Sequence, residues 1–292
     1  MKFVIYTPGA IETSGGHNVL FRLAKLLSER GHDSKIFVNE MNGRPTIYTN
    51  LARREDVTET TIVIYPEGIL GNPLGAKRIV RWILYGSSVY SQYQPNEMIY
   101  YFVPFARDNP ATKRLTVMHH PDGLVNRGLP RTNNACYVIG KGTVYPDVRA
   151  IFSSPTRKHA NDINLAGRSH SDIIKIFNTT KYFYCYDPCS GLAWMSLMCG
   201  CIVIQHPAVG CTADEWKYMI GMKSLNGIAY GGENLAHAEN TISLAYDDCI
   251  QHKKDHEKTL DTFIDDMESG NYTYEPCYPF NDTPYSLQCV NR

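Results

Sequence analysis

The residues that could do chemistry concentrate in YFYCYDPCSGLAWMSLMCGCIVIQHP (182–207). An apolar strand runs into Tyr186, Asp187-Pro188 leaves it, Ser190 or Gly191 opens an apolar helix, and Gly200 closes that helix before the next strand. A carboxylate and a hydroxyl just past the carboxyl end of a strand suit a sugar hydroxyl or a phosphate. TPGAIETSGGHN (7–18) follows the first strand and opens a helix at Gly15, Gly16 and His17, where backbone N–H groups can approach an anion. Its glycines do not form G-x-G-x-x-G, which argues against a nicotinamide cofactor. Lys141 (VIGKG), His170 (GRSHSDII), Glu215 (TADEWKY) and Gly231 (AYGGEN) likewise follow strands or open helices, with Glu215 read as part of the loop after CIVIQHP. Glu67 (YPEG) and His120 (MHHP) each follow a strand of the first half and are candidates for acceptor binding or general-base work.

These residues require an alternating framework to hold them. KFVIYTP (2–8), SKIFV (34–38), TIVIYPEG (61–68), IYYFVPF (99–105), LTVMHH (115–120) and ACYVIG (135–140) read as strands, HNVLFRLAKLLSERG (17–31) and GAKRIVRWILYG (75–86) as helices. Beyond the turn-rich PDGLVNRGLPRTNNA (121–135) the pattern restarts, with VRAIFSS (148–154), KYFYCY (181–186) and CIVIQHP (201–207) as strands and SHSDIIKIFN (169–178) and GLAWMSLMCG (191–200) as helices. Two further helices are expected over 233–254 and 258–269. The expected fold is α/β, two Rossmann-like β/α/β domains facing across a cleft. The expected division is an N-terminal domain over 1–132, a C-terminal domain over 133–270, and a tail over 271–292 that is either docked back on the first domain or frayed.

Composition removes several functions. The 292 residues carry 29 basic and 29 acidic side chains, a formal net charge of zero, so the basic footprint of a nucleic-acid or anionic-membrane binder is missing. Leu192 to Ile204 is the longest apolar stretch of note and falls short of the ~20 residues that span a bilayer. The N-terminus has no signal-type apolar core, and the odd count of nine cysteines without C-x-x-C fits reduced thiols in a cytoplasmic protein rather than disulfides or zinc.

The order strand, Asp187, Pro188, Ser190, apolar helix, Cys-Gly, strand resembles the donor-binding core of nucleotide-sugar glycosyltransferases with the GT-B fold, particularly the large retaining family numbered four. GGHNVLFRLAKLLSERGHDSKIFV resembles that family's acceptor-domain opening. YPEGILGNPLGAKRIVRW and GIAYGGENLAHAENT resemble segments of bacterial and viral polysaccharide glycosyltransferases carrying the same Y-D-P-x-S/T element. The resemblance implies that Asp187, with Tyr186 beside it, meets the donor sugar or its neighbouring phosphate, and that Ser190 holds a phosphate. It also implies that Lys141 neutralises the leaving diphosphate, a role that Arg157 or Lys158 could share. In the family a second acidic residue stands eight positions after the first; here that position is Met195.

The expected function is thus transfer of a hexosyl or pentosyl group from a nucleotide-diphosphate donor to a glycan or lipid-linked acceptor, as in polysaccharide biosynthesis, without metal or other cofactor. A nucleotide-sugar epimerase of the same fold and a non-catalytic carbohydrate- or nucleotide-binding protein are the alternatives. Asp187, at the mouth of the cleft, is expected to serve chemistry and not packing; Met195, mid-helix, is expected to fill core.

Overall fold

Buried apolar strands followed by amphipathic helices build two parallel sheets. The computed structural model describes residues 1–10, 14–39, 48, 50–85, 97–104, 113–153, 159–208 and 210–270. The described residues divide into two units, the first comprising 1–119 and 254–270, the second 120–253. The tail expected over 271–292, and Arg157 and Lys158, lie outside the described residues.

In the first unit β1 (Lys2–Thr7), β2 (Asp33–Val38), β3 (Ile62–Pro66), β4 (Arg78–Ile83), β5 (Met98–Tyr101) and β6 (Lys113–Arg114) form one sheet in the order β2-β1-β3-β4-β5-β6. Every neighbouring pair is parallel, with Lys2 opposite Asp33 and Phe3 opposite Ile62. Helix α1 (Gly15–Glu29) is capped by Ser14, whose hydroxyl accepts the His17 N–H, and buries Leu20, Leu23 and Leu27 against β1 and β2.

Within 75–86, expected as a helix, Arg78–Ile83 form strand β4 instead. Ile79, Val80, Trp82 and Ile83 satisfy a helical stripe, yet a strand buried on both faces shows no alternation, so periodicity cannot separate the two. Pairing decides: β4 inserts between β3 and β5, and the fully buried Arg81 finds Glu97, with Nε to Oε2 at 2.9 Å and Nη2 to Oε1 at 2.7 Å. Residues 115–120 are irregular, and only Lys113–Arg114 is strand.

In the second unit β7 (Asn133–Val138), α2 (Pro146–Ser153), β8 (Ile163–Asn164), α3 (His170–Thr179), β9 (Thr180–Cys185), α4 (Leu192–Met198), β10 (Ile202–Gln205), α5 (Ala213–Met219) and β11 (Ile228–Tyr230) follow in sequence. The sheet order is β11-β10-β9-β7-β8, again wholly parallel. Residues 148–153 of the stretch expected as a strand over 148–154 lie in helix α2: Pro146 has no N–H to lose at a first helical position, Asp147 lies in the first turn, and Val148 and Ile151 fall on one face.

The two helices expected near the C-terminus are one, α6 (Leu235–Ser269), because the polar stretch between them contains neither Gly nor Pro to end it. Its last turns place Leu260, Phe263, Ile264 and Met267 in the core of the first sheet, and Asp266 accepts the Tyr100 hydroxyl at 2.7 Å. The units therefore part between His119 and His120 rather than at 132, and residues 254–270 belong to the first. Among the described residues no helix is long and apolar enough to cross a membrane.

Candidate functional site

From β7 the chain moves to β8 on one side, then crosses to β9 on the other, so the carboxyl ends of β7 and β9 flank the topological switch point where open α/β sheets bind ligands. The turn after β7 is a 3-10 helix over Gly140–Val144 carrying Lys141; the turn after β9 is Tyr186-Asp187-Pro188. The Tyr186 N–H donates to the Val138 carbonyl at 3.0 Å and extends the β7–β9 pairing by one bond.

Asp187 then spans the two turns. Its Oδ2 accepts the Lys141 N–H at 3.1 Å and its Oδ1 the Cys189 N–H at 3.0 Å. Gly140 has φ +48 and faces the Asp187 carboxylate so closely that a Cβ would overlap it, while a Cβ on Gly142 would overlap the Tyr186 carbonyl. Below the turn, Gln205 is 1% exposed and its Nε2 donates to the carbonyls of Asp187 (3.2 Å) and His206 (3.1 Å). The buried Trp216 donates its indole N–H to the Pro188 carbonyl at 2.9 Å. The expectation that Asp187 has no packing role is corrected by this geometry: both its oxygens hold backbone.

The other second-unit candidates fall around this clasp. Ser190 accepts the Leu192 N–H at 3.2 Å at the start of α4. Met195 is 5% exposed inside that helix, among core side chains. Lys141 is exposed, and the Tyr186 ring is buried. Gly231, at the turn after β11, donates its N–H to the Gln205 carbonyl at 2.8 Å. His170 is the first residue of α3, behind a Ser169 cap on the Asp172 N–H. Glu215 is not in a loop: it lies in α5, where Thr212 and Glu215 form a capping box, with the Thr212 N–H on Glu215 Oε2 at 2.8 Å. That backbone bond holds the Glu215 carboxyl below its usual range. His206, which the sequence did not single out, meets Asp147 (Nε2 to Oδ2, 3.1 Å) at an open depression of about 500 Å³ also lined by Ala208, Gly210 and Cys211.

In the first unit the switch point lies between β1 and β3. Gly15 and Gly16 are exposed at the start of α1, and burial lowers the pKa of His17. Glu67 follows β3 and accepts the N–H groups of Leu84 (3.0 Å) and Tyr85 (2.9 Å), tying the ends of β3 and β4 together. His120 follows no strand; it is the first residue of the second unit. Burial raises the thiol pKa of Cys185 strongly, that of Cys189 to about 12 and that of Cys199 to about 11, and all seven described cysteines are free. Among the described residues no group of three or more His, Cys, Asp or Glu could hold a metal ion.

Sequence reasoning missed Gly140, Gly142, Gln205, His206 and the residues around Tyr186. Two glycines flanking a lysine directly after a strand were the available signal.

Two parallel-sheet units in this topology have the GT-B fold, the fold of nucleotide-sugar glycosyltransferases. The likeness is to T4 phage β-glucosyltransferase: one structure matches with TM-score 0.55 at 12% identity over 92% of this chain and 100% of that chain. A second, the T4 phage enzyme in complex with UDP and Mn²⁺, matches with TM-score 0.54 at 10% identity over 92% and 100%. The structure of the DNA modifying enzyme β-glucosyltransferase in the presence and absence of the substrate uridine diphosphoglucose matches with TM-score 0.53 at 9% identity over 92% of this chain and 100% of that chain. No protein-family model matches the sequence, and no curated protein matches it.

Proposed function

We propose that this protein is a glycosyltransferase that moves a hexosyl or pentosyl group from a nucleoside-diphosphate donor to a glycan or lipid-linked saccharide acceptor, with no bound metal. The observation that carries the reading is the clasp of Asp187 on Lys141 at the switch point of the second sheet. Each Asp187 oxygen accepts one backbone N–H and keeps a second lone pair for a sugar hydroxyl. Ser190 accepts from Leu192, and its hydroxyl, which lies beside the Cys185 thiol, turns to donate to a phosphate oxygen. The Lys141 ammonium, carried on the turn that Asp187 holds, offsets charge on the departing diphosphate in place of a cation. Glu67 and His120 supply the acceptor-side carboxylate and imidazole, and Gly15 and Gly16 the first unit's backbone donors, the His17 N–H being held by Ser14.

The test is a panel of UDP-, GDP-, CDP- and dTDP-sugars followed by thermal shift and by product analysis. A true donor at 100 times its Kd should stabilise by about 2.7 kcal/mol. Acceptors should include oligosaccharides, lipid-linked saccharides and duplex DNA, the last because the enzyme of similar fold is described as DNA modifying. Transfer to a saccharide is the expected result. An epimer formed from donor alone, or tight sugar binding without nucleotide binding, would replace this reading with one of its rivals.

A further inference from the structure

Behind the Asp187 turn lies a polar chain with no counterpart in the function so far described. His159 has 2% of its side chain exposed; its Nδ1 lies 2.6 Å from Asp162 Oδ2 and its Nε2 2.6 Å from the Tyr186 hydroxyl. The imidazole is packed among aromatic rings, with Tyr137 stacked at 5.2 Å, Phe152 at 5.8 Å and Tyr184 at 4.6 Å between centroids. The Tyr186 ring in turn meets Phe152 edge-on at 5.3 Å.

A carboxylate on Nδ1 selects the tautomer that carries its proton there, so Nε2 accepts and the Tyr186 O–H donates. Such a chain buried among rings gains little stability over apolar residues of the same shape, because each polar group must first leave water. What it adds is direction: the Tyr186 ring has one place at which its hydroxyl is satisfied. Tyr186 is also the residue whose N–H extends β9 onto Val138, whose carbonyl abuts Gly142, and whose next neighbour is Asp187.

We infer that Asp162, His159 and Tyr186 form a positioning network that sets the Asp187 turn and, through it, the Lys141 backbone. Its effect on catalysis rests on the function proposed above; its effect on the turn does not. Tyr186→Phe keeps the ring and removes only the hydroxyl, His159→Phe keeps a ring and removes the acceptor, and His159→Gln returns an acceptor near the position of Nε2.

Two readouts test the inference. The first needs no ligand: hydrogen exchange at the Lys141 and Cys189 amides, which Asp187 holds. In folded Tyr186→Phe and His159→Phe proteins their protection should fall by about fivefold or more, the size of one hydrogen bond, and His159→Gln should recover most of it. The second uses whichever sugar nucleotide of the panel wild type turns over: donor KM should rise about five- to tenfold with kcat changed less, and the double variant Tyr186→Phe/His159→Phe should be no worse than either single, because the three groups act as one unit. Unchanged protection of both amides, or additive losses in the double variant, would overturn the inference. If wild type binds no sugar nucleotide while the amide protection falls as described, the glycosyltransferase reading fails and the positioning network stands.

Discussion

Asp187 accepts the backbone N–H of Lys141 at 3.1 Å across the gap between the ends of β9 and β7, so one carboxylate clasps the two turns that flank the switch point. The residue proposed to meet the donor is therefore also part of what shapes these turns. Its substitution should change stability and turnover together, and chemically graded variants are needed to separate the two.

Asp187→Ala strands two backbone donors, and the expected cost is about 1 to 3 kcal/mol of stability beside about 2 to 4 kcal/mol in kcat/KM. Asp187→Asn keeps one carbonyl oxygen as acceptor, so it should hold the fold better than alanine while losing most turnover. Denaturation midpoints and kcat/KM on the three proteins check this. Equal stability of wild type and the alanine variant would show that the clasp carries no energy.

Adding one methyl to the loop after β7 should be costly. Gly142→Ala drives a Cβ into the Tyr186 carbonyl, and Gly140→Ala meets Asp187 with φ at +48, so each should lose about 1 to 3 kcal/mol and weaken donor binding. Gly191→Ala, at φ −61 with nothing within 4 Å of a Cβ, is the control and should be neutral or slightly stabilising.

Arg81 and Glu97 are both 0% exposed. Arg81→Met should cost about 3 to 5 kcal/mol because it leaves a buried carboxylate without its partner, and Arg81→Met/Glu97→Leu should recover much of that loss. Met195→Ala should cost about 2 to 5 kcal/mol by opening a cavity while leaving sugar-nucleotide affinity unchanged. Urea titration with a binding isotherm on each variant separates the effects.

Alkali should destabilise the protein. Burial pushes the thiols of Cys189 and Cys249 to about 12 and that of Cys199 to about 11, against 9.0 for an ordinary thiol, and it pushes the Tyr100 and Tyr186 hydroxyls up as well. A folded pKa above the unfolded one means that the unfolded chain ionises first, so this stability is intact below pH 9 and is lost as pH rises from there toward 11 to 12. The denaturant midpoint should fall between pH 8 and 10.5, less steeply in Cys249→Ala. A flat midpoint over that range would refute the assignment.

Turnover should survive EDTA. In the proposed reaction the Lys141 ammonium offsets the charge of the departing diphosphate in place of a cation. Complete loss with chelator, restored by Mn²⁺ or Mg²⁺, would contradict the proposal.

Local chemistry made much of this protein legible in its sequence. The helix over 169–178, the apolar run into Asp187-Pro188 and much of the strand-helix alternation depend on neighbours within a few residues, which is the range over which hydrogen-bonding and periodicity signals act. Asp187 was visible for the same reason: a proline and a strand end mark it.

Tertiary structure alone decided the rest, because the deciding partner lies far along the chain. Residues 78–83 are a strand because β3 and β5 offer parallel edges and Glu97 satisfies Arg81; nothing within the segment says so. The last turns of α6 belong to the first unit because Phe263 and Met267 bury against a sheet that begins at Lys2. The clasp itself joins residues 46 apart, and His159 meets the Tyr186 hydroxyl across 27 residues. Burial and hydrogen-bond satisfaction are properties of assembled neighbours, so the residues that aim the site appear only once the sheet has brought β7 and β9 side by side.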